Sequence, residues 1–217
     1  EELTGQAGDK GNSTAGIVAE GRLASVIMED RLGPWVFENG KLSETPAPQA
    51  LGAFRARDVS IKGANAVDPN GNIGVLAADG GGGTVGGIWG TLTARGAHWV
   101  APVSLERLVP DVIEAARECG NHLWDLTMGQ SAGLMPVVNA QVVTEIEAIA
   151  ILSGVKATHV ASGGVSGSEG AVMLSLTGEE ADVRAAFEML EGIKGEEQFE
   201  SPRLIPYIRE PETAPSA

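Results

Sequence analysis

Glycine constrains this sequence more than any other residue. Thirty of the 217 residues are glycine, about twice the usual ~7%. They follow no collagen period and fall in discrete clusters, so they punctuate compact elements instead of building a fibre. Aromatic residues make up only 4%, which leaves Val, Ile, Leu and Ala to build the core. Hydrophobic residues at 43% and charged residues at 20% are a globular balance. A chain of this length buries roughly 70% of its unfolded surface and needs no covalent staple.

Several classes fall away on composition. Cys119 is the single cysteine, so an internal disulfide and a multi-thiolate metal cluster are excluded. Its isolation leans toward a reducing, cytoplasmic setting. No apolar run reaches the roughly 18 residues of a membrane helix. The opening EELTGQAGDKGNSTAG lacks the basic and apolar regions of a signal peptide. It also lacks Met, as a truncated or processed start would. Lys and Arg number 15 against 29 Asp and Glu, a net charge of −14. Such a chain repels phosphate backbones, so neither nucleic acid nor an anionic membrane is an expected partner. His98, His122 and His159 show no paired spacing, and no metal site is expected. Trp89, Trp99 and Trp124 read as core.

The order of elements predicts an α/β protein: an open, mostly parallel sheet domain over 15–125, then a ferredoxin-like α+β domain over 137–208. Residues 1–14 and 209–217 read as flexible tails. In the first domain, Asn39-Gly40 signals a hairpin and Asp68-Pro69-Asn70-Gly71 a tight turn. Strands are expected over 72–79 and 98–104, as parallel near neighbours, with helices over 48–56, 84–95 and 105–120. In the second, strands 137–143, 156–161, 171–177 and 202–208 alternate with helices 145–153 and 179–192 in β-α-β-β-α-β order. Thr144-Glu145-Ile146-Glu147 and Thr177-Gly178-Glu179-Glu180 read as capping boxes. Val183, Ala186, Phe187, Leu190 and Ile193 fall on one helical face. Both faces of the expected second sheet carry apolar residues, which predicts packing on the first domain or on a second copy, hence a homo-oligomer.

Three motifs carry chemistry. Gly80, Gly81, Gly82, Gly83 and Thr84 follow a strand and open a helix, where backbone N–H groups and the helix dipole favour an anion. The match to G-x-G-x-x-G lacks the acidic residue that a dinucleotide fold places after its next strand, so an anion ligand and a purely structural turn both stay open. Gly129-Gln130-Ser131-Ala132-Gly133 matches G-x-S-x-G, with His159 downstream. Pro136 interrupts the helix a nucleophile elbow needs, which leaves a serine hydrolase as a third option. Lys62, Asn65 and Asp68 lie in DVSIKGANAVDPNGNIG, at the expected ligand end of a strand.

That segment, the glycine-rich helix start and HWVAPVS together resemble the superfamily of ribose-5-phosphate isomerase A, glucosamine-6-phosphate deaminase and the CoA transferases. The resemblance covers roughly residues 55–120. It implies phosphate binding at the glycine-rich loop and isomerase-like or CoA transferase-like chemistry on a small phosphorylated or CoA-linked substrate. No cofactor is implied beyond CoA or a sugar phosphate as substrate. One position departs: Asn65 stands where the isomerases carry a catalytic Asp, and an amide cannot act as a general base. The alternative is a non-catalytic ligand-binding or assembly module of the same fold.

Overall fold

The computed structural model describes residues 9–195 and 200–206. Two hairpins come first: β1 (Gly16–Ala19) with β2 (Arg22–Ser25), and β3 (Val36–Glu38) with β4 (Lys41–Ser43). Their turns, Glu20-Gly21 and Asn39-Gly40, place two consecutive residues at positive φ, as a type I′ hairpin requires. The short helix α1 (Ala47–Ala53) follows. The Arg95 guanidinium donates to the carbonyls of Leu51, Gly52 and Phe54 and so satisfies the end of that helix.

Two three-stranded sheets form the centre. β5 (Val59–Ile61), β8 (His98–Pro102) and β10 (Gln141–Val143) are parallel, in the order β10-β8-β5. β6 (Ala66–Val67), β7 (Ile73–Ala77) and β9 (Gly133–Val137) are antiparallel, in the order β6-β7-β9. The strands expected as parallel near neighbours, 72–79 and 98–104, therefore lie in different sheets. The Asp68–Gly71 turn is the cause. Gly71 donates its N–H to the Asp68 carbonyl at 3.0 Å with φ +79°, and so tight a turn returns the chain antiparallel. Helix α2 (Gly83–Arg95) ends at Gly96, whose positive φ stops it. Val85 and Leu92 of α2 join Val67, Ile73, Val75, Trp99, Ala101, Val103 and Val137 in one core shared by both sheets. The helix expected over 105–120 is broken at Pro110. A 3-10 turn, Leu105–Arg107, precedes α3 (Val112–Arg117), which Asp111 caps by accepting the Glu114 N–H at 2.8 Å.

The C-terminal part holds α4 (Glu145–Ser153), β11 (Lys156–Ser162), β12 (Val172–Thr177) and α5 (Glu180–Ile193). Among the described residues its sheet is the β11-β12 hairpin alone, not the expected four strands. The first expected strand, 137–143, splits into β9 and β10, which join the two central sheets instead. Of the last, 202–208, Leu204 bridges Val26, and 207–208 lie outside the described residues. Ile149, Val155, Ala157 and Ala186 form a second, smaller core. The Thr144 capping box is present, with Glu147 accepting the Thr144 N–H at 2.8 Å. The second box is not: α5 is capped at Glu179, two residues past the Thr177 hydroxyl, with no side-chain bond to its amides. No helix among the described residues is long and apolar enough to cross a membrane.

Candidate functional site

Asp68 is buried at 3% exposure. Its Oδ1 accepts the N–H groups of Asn70 (2.9 Å) and Asn72 (3.0 Å), and its Oδ2 accepts Asn72 Nδ2 (2.9 Å) and the Val112 N–H (3.0 Å). An ionised carboxylate offers about four acceptor positions, and all are in use. Burial pushes this carboxyl up, but the bonds from Asn72, Val112 and Asn70 together hold it below the usual aspartate range. The group stays ionised and has no free lone pair to take a proton. It closes the β6–β7 turn and fixes the start of α3 to it.

Asn65 is likewise committed. Its Oδ1 accepts the Leu76 N–H at 3.0 Å, and its own N–H donates to the Gly74 carbonyl at 2.8 Å, so it extends the β6–β7 ladder by one rung. Lys62 follows β5. Its N–H donates to the Val100 carbonyl at 3.1 Å, and its carbonyl accepts Trp99 Nε1 at 3.3 Å. Its ammonium is half-buried, and burial lowers its pKa. Among the described residues it makes no hydrogen bond or ion pair.

The glycine loop lies at the far end of β7. Asp68 precedes that strand and Gly80 follows it, so the five residues of β7 hold them about 17 Å apart. The Asp68 carboxylate and the loop therefore sit at opposite ends of β7. Within the loop, Asp79 Oδ1 accepts the N–H groups of Gly81 (2.8 Å) and Gly83 (3.2 Å), and the Gly82 N–H donates to the Asp79 carbonyl (3.0 Å). Two amides at the start of α2, those of Gly81 and Gly83, thus bond to the chain's own carboxylate. Gly82 has φ +81°, and a Cβ there would lie 2.9 Å from Met135 Cε. That glycine serves the packing of α2 against β9. Gly80 meets nothing within 4 Å of its Cβ position, and Thr84 is exposed in the first turn.

The G-x-S-x-G segment forms a clamp on the first hairpin. A Cβ on Gly129 would lie 2.5 Å from the Leu23 carbonyl oxygen. The Gln130 N–H donates to that carbonyl at 2.8 Å, and the Ser25 hydroxyl donates to Gln130 Oε1 at 2.5 Å. Ser131 donates its hydroxyl to the Asn121 carbonyl at 2.7 Å, while His159 Nε2 bonds Ser162 Oγ at 2.7 Å. Ser131 and His159 are not joined. Cys119 donates to the Ala132 carbonyl at 3.4 Å, and burial raises its pKa. Among the described residues no group of His, Cys, Asp and Glu is placed to hold a metal.

Three features were not legible in the sequence. Asp79, inside the expected strand 72–79, is the cap of the loop, and an Asp two residues before a glycine at a helix start is a recognisable Asx pattern. The apolar stripe expected on one face of α5 is only partly covered. Val183, Ala186 and Leu190 do pack inward, but Phe187 is 55% and Ile193 69% exposed. Trp124, expected in the core, is 46% exposed, and Leu126 and Met128 beside it are more so.

No protein-family model matches the chain, and no curated protein or solved structure does either.

Proposed function

We propose that this chain is a non-catalytic binding module, whose work is to hold another macromolecule through surfaces that its own fold leaves uncovered. The observation that carries this reading is the state of its chemically promising groups. The Asp68 carboxylate, the Asn65 amide oxygen and the Gly81 and Gly83 N–H groups, which an isomerase or CoA transferase would use, are each bonded to partners within the chain itself. Meanwhile large apolar side chains stand exposed in the two N-terminal hairpins, in the 123–128 segment and on the C-terminal helices. Exposed apolar groups in such number mark surfaces that a partner covers.

The enzyme reading keeps one observation. Lys62 is a desolvated cation with no carboxylate partner among the described residues, at the end of a strand of the parallel sheet, where ligands bind in open α/β sheets. Titration calorimetry with ribose 5-phosphate and with CoA separates the two. The module reading expects no saturable heat from either. Saturable binding that Lys62→Ala weakens at least tenfold overturns it and restores a phosphorylated or CoA-linked substrate.

A further inference from the structure

The C-terminal hairpin ends in an open strand. Among the described residues β12 pairs with β11 on one side and with nothing on the other. A hollow of about 640 Å³ lies at the C-terminal end of β12, against α5. Leu176, Thr177 and Gly178 form one wall, and Val183, Phe187 and Glu188 of α5 belong to the other. Neither β11 nor α4 lines it, and of β12 only Leu176 and Thr177 do. Leu176 and Val183 are half-buried, and Phe187 leaves more than half of its surface in solvent. β12 itself, VMLSLT, carries no charged residue. Proteins commonly blunt a free edge with charged residues or Pro. Here the strand offers unpaired N–H and C=O groups beside an apolar shelf.

Charge selects the occupant. Glu180, Arg184, Glu188 and Glu191 rim the hollow. Arg184 is neutralised by Glu180 at 2.7 Å, and Glu188 and Glu191 have no ion-pair partner among the described residues. A second copy seated across a two-fold axis would bring its own Glu188 and Glu191 to this rim, within a molecule of net charge −14. Like charges facing each other disfavour that arrangement. An extended segment with alternating apolar and basic residues satisfies the edge, the shelf and the rim together.

We infer that the β12 edge and α5 form a docking groove for an extended, basic-apolar peptide segment of a partner protein, which adds as a third strand to the β11-β12 hairpin. This rests on the binding-module reading and names its partner class. Alternate apolar side chains of the segment enter the Leu176–Val183–Phe187 shelf, and its Lys or Arg side chains face Glu188 and Glu191.

The test uses the full chain and a fluorescein-labelled peptide, Lys-Val-Arg-Val-Lys-Val-Arg, followed by fluorescence anisotropy, with Glu-Val-Glu-Val-Glu-Val-Glu as control. Saturable binding of the basic peptide alone is expected. Phe187→Ala should weaken it about tenfold or more, as loss of an aromatic anchor does. The double variant Glu188→Lys, Glu191→Lys should weaken it at least as much, and binding to the parent should fall as salt rises. Both substitutions lie at exposed positions, and circular dichroism verifies that the helices remain. Equal binding of the acidic peptide, or unchanged binding in both variants, overturns the groove. So does a dimer in sedimentation that Phe187→Ala dissociates, because a second copy then fills it. The parent reading fails by a different result, Lys62-dependent binding of ribose 5-phosphate or CoA, whatever the peptides do.

Discussion

Strands β7 and β12 differ in what surrounds them. β7 lies between β6 and β9, with both edges paired and the helix α2 packed beside it. The polar residues at its two ends are spent on the fold: Asp68 before it and Asp79 after it each bind backbone N–H groups. β12 is paired on one side, and its core holds only four buried residues. Its neighbours present free carboxylates and a half-exposed phenylalanine. Polar residues in the centre of this molecule mark structural joints, and the β12 edge is the surface we propose for other molecules.

Substitutions at the first strand should cost stability, and those at the second should not. The largest effect is expected from Asp68→Ala. It strands the buried Val112 N–H and three further donors at once, so stability should fall by about 3 kcal/mol or more, read as a lowered urea midpoint. A loss under about 1 kcal/mol would mean that the turn does not depend on the carboxylate. Gly82→Val comes next. It combines a positive φ with a clash on Met135, and thermal melts should show a loss of about 2 kcal/mol. Thr144→Ala removes one cap and should cost about 1 kcal/mol. Phe187→Ala should change stability by well under 1 kcal/mol, since the ring is 55% exposed in the folded state.

Acidity sharpens the contrast. The folded Asp68 pKa lies below its unfolded value, which is about 3.9. Its contribution is therefore complete above about pH 4 and is lost as pH falls through the folded pKa. Glu147, also held low once the Thr144 bonds outweigh its burial, acts in the same direction. Urea midpoints measured from pH 6 down to pH 2 should fall for the parent. They should fall less steeply for Asp68→Asn, which has lost the titrating group. Identical slopes would remove Asp68 as a source of the acid sensitivity.

Local elements were legible in the sequence because their signals are local. Asn39-Gly40, the Asp68–Gly71 turn, the start of α2 and the Thr144 box each depend on a few adjacent residues. Strand partners were not legible. Residues 141–143 are as apolar as an edge strand of the C-terminal unit should be, but they pair with β8 through a register that spans some 40 positions. Nothing in a short window distinguishes the two partners. The same limit applies to the candidate site. Lys62, Asn65, Asp68 and the glycines have the composition of a ligand site. Whether such donors face a ligand or their own backbone depends on contacts such as Val112 on Asp68, 44 residues away.

Amide-resolved NMR on one labelled sample of the full chain tests the central claim most directly. The basic peptide and ribose 5-phosphate are added in turn, and shift changes are mapped onto the sequence. The account predicts changes confined to β12 and α5 on adding the peptide, and none at Lys62, Asn65, Asp68 or residues 80–84 on adding the sugar phosphate. Saturable shifts at Lys62 and the glycine loop with the sugar phosphate, and a silent β12, would contradict it.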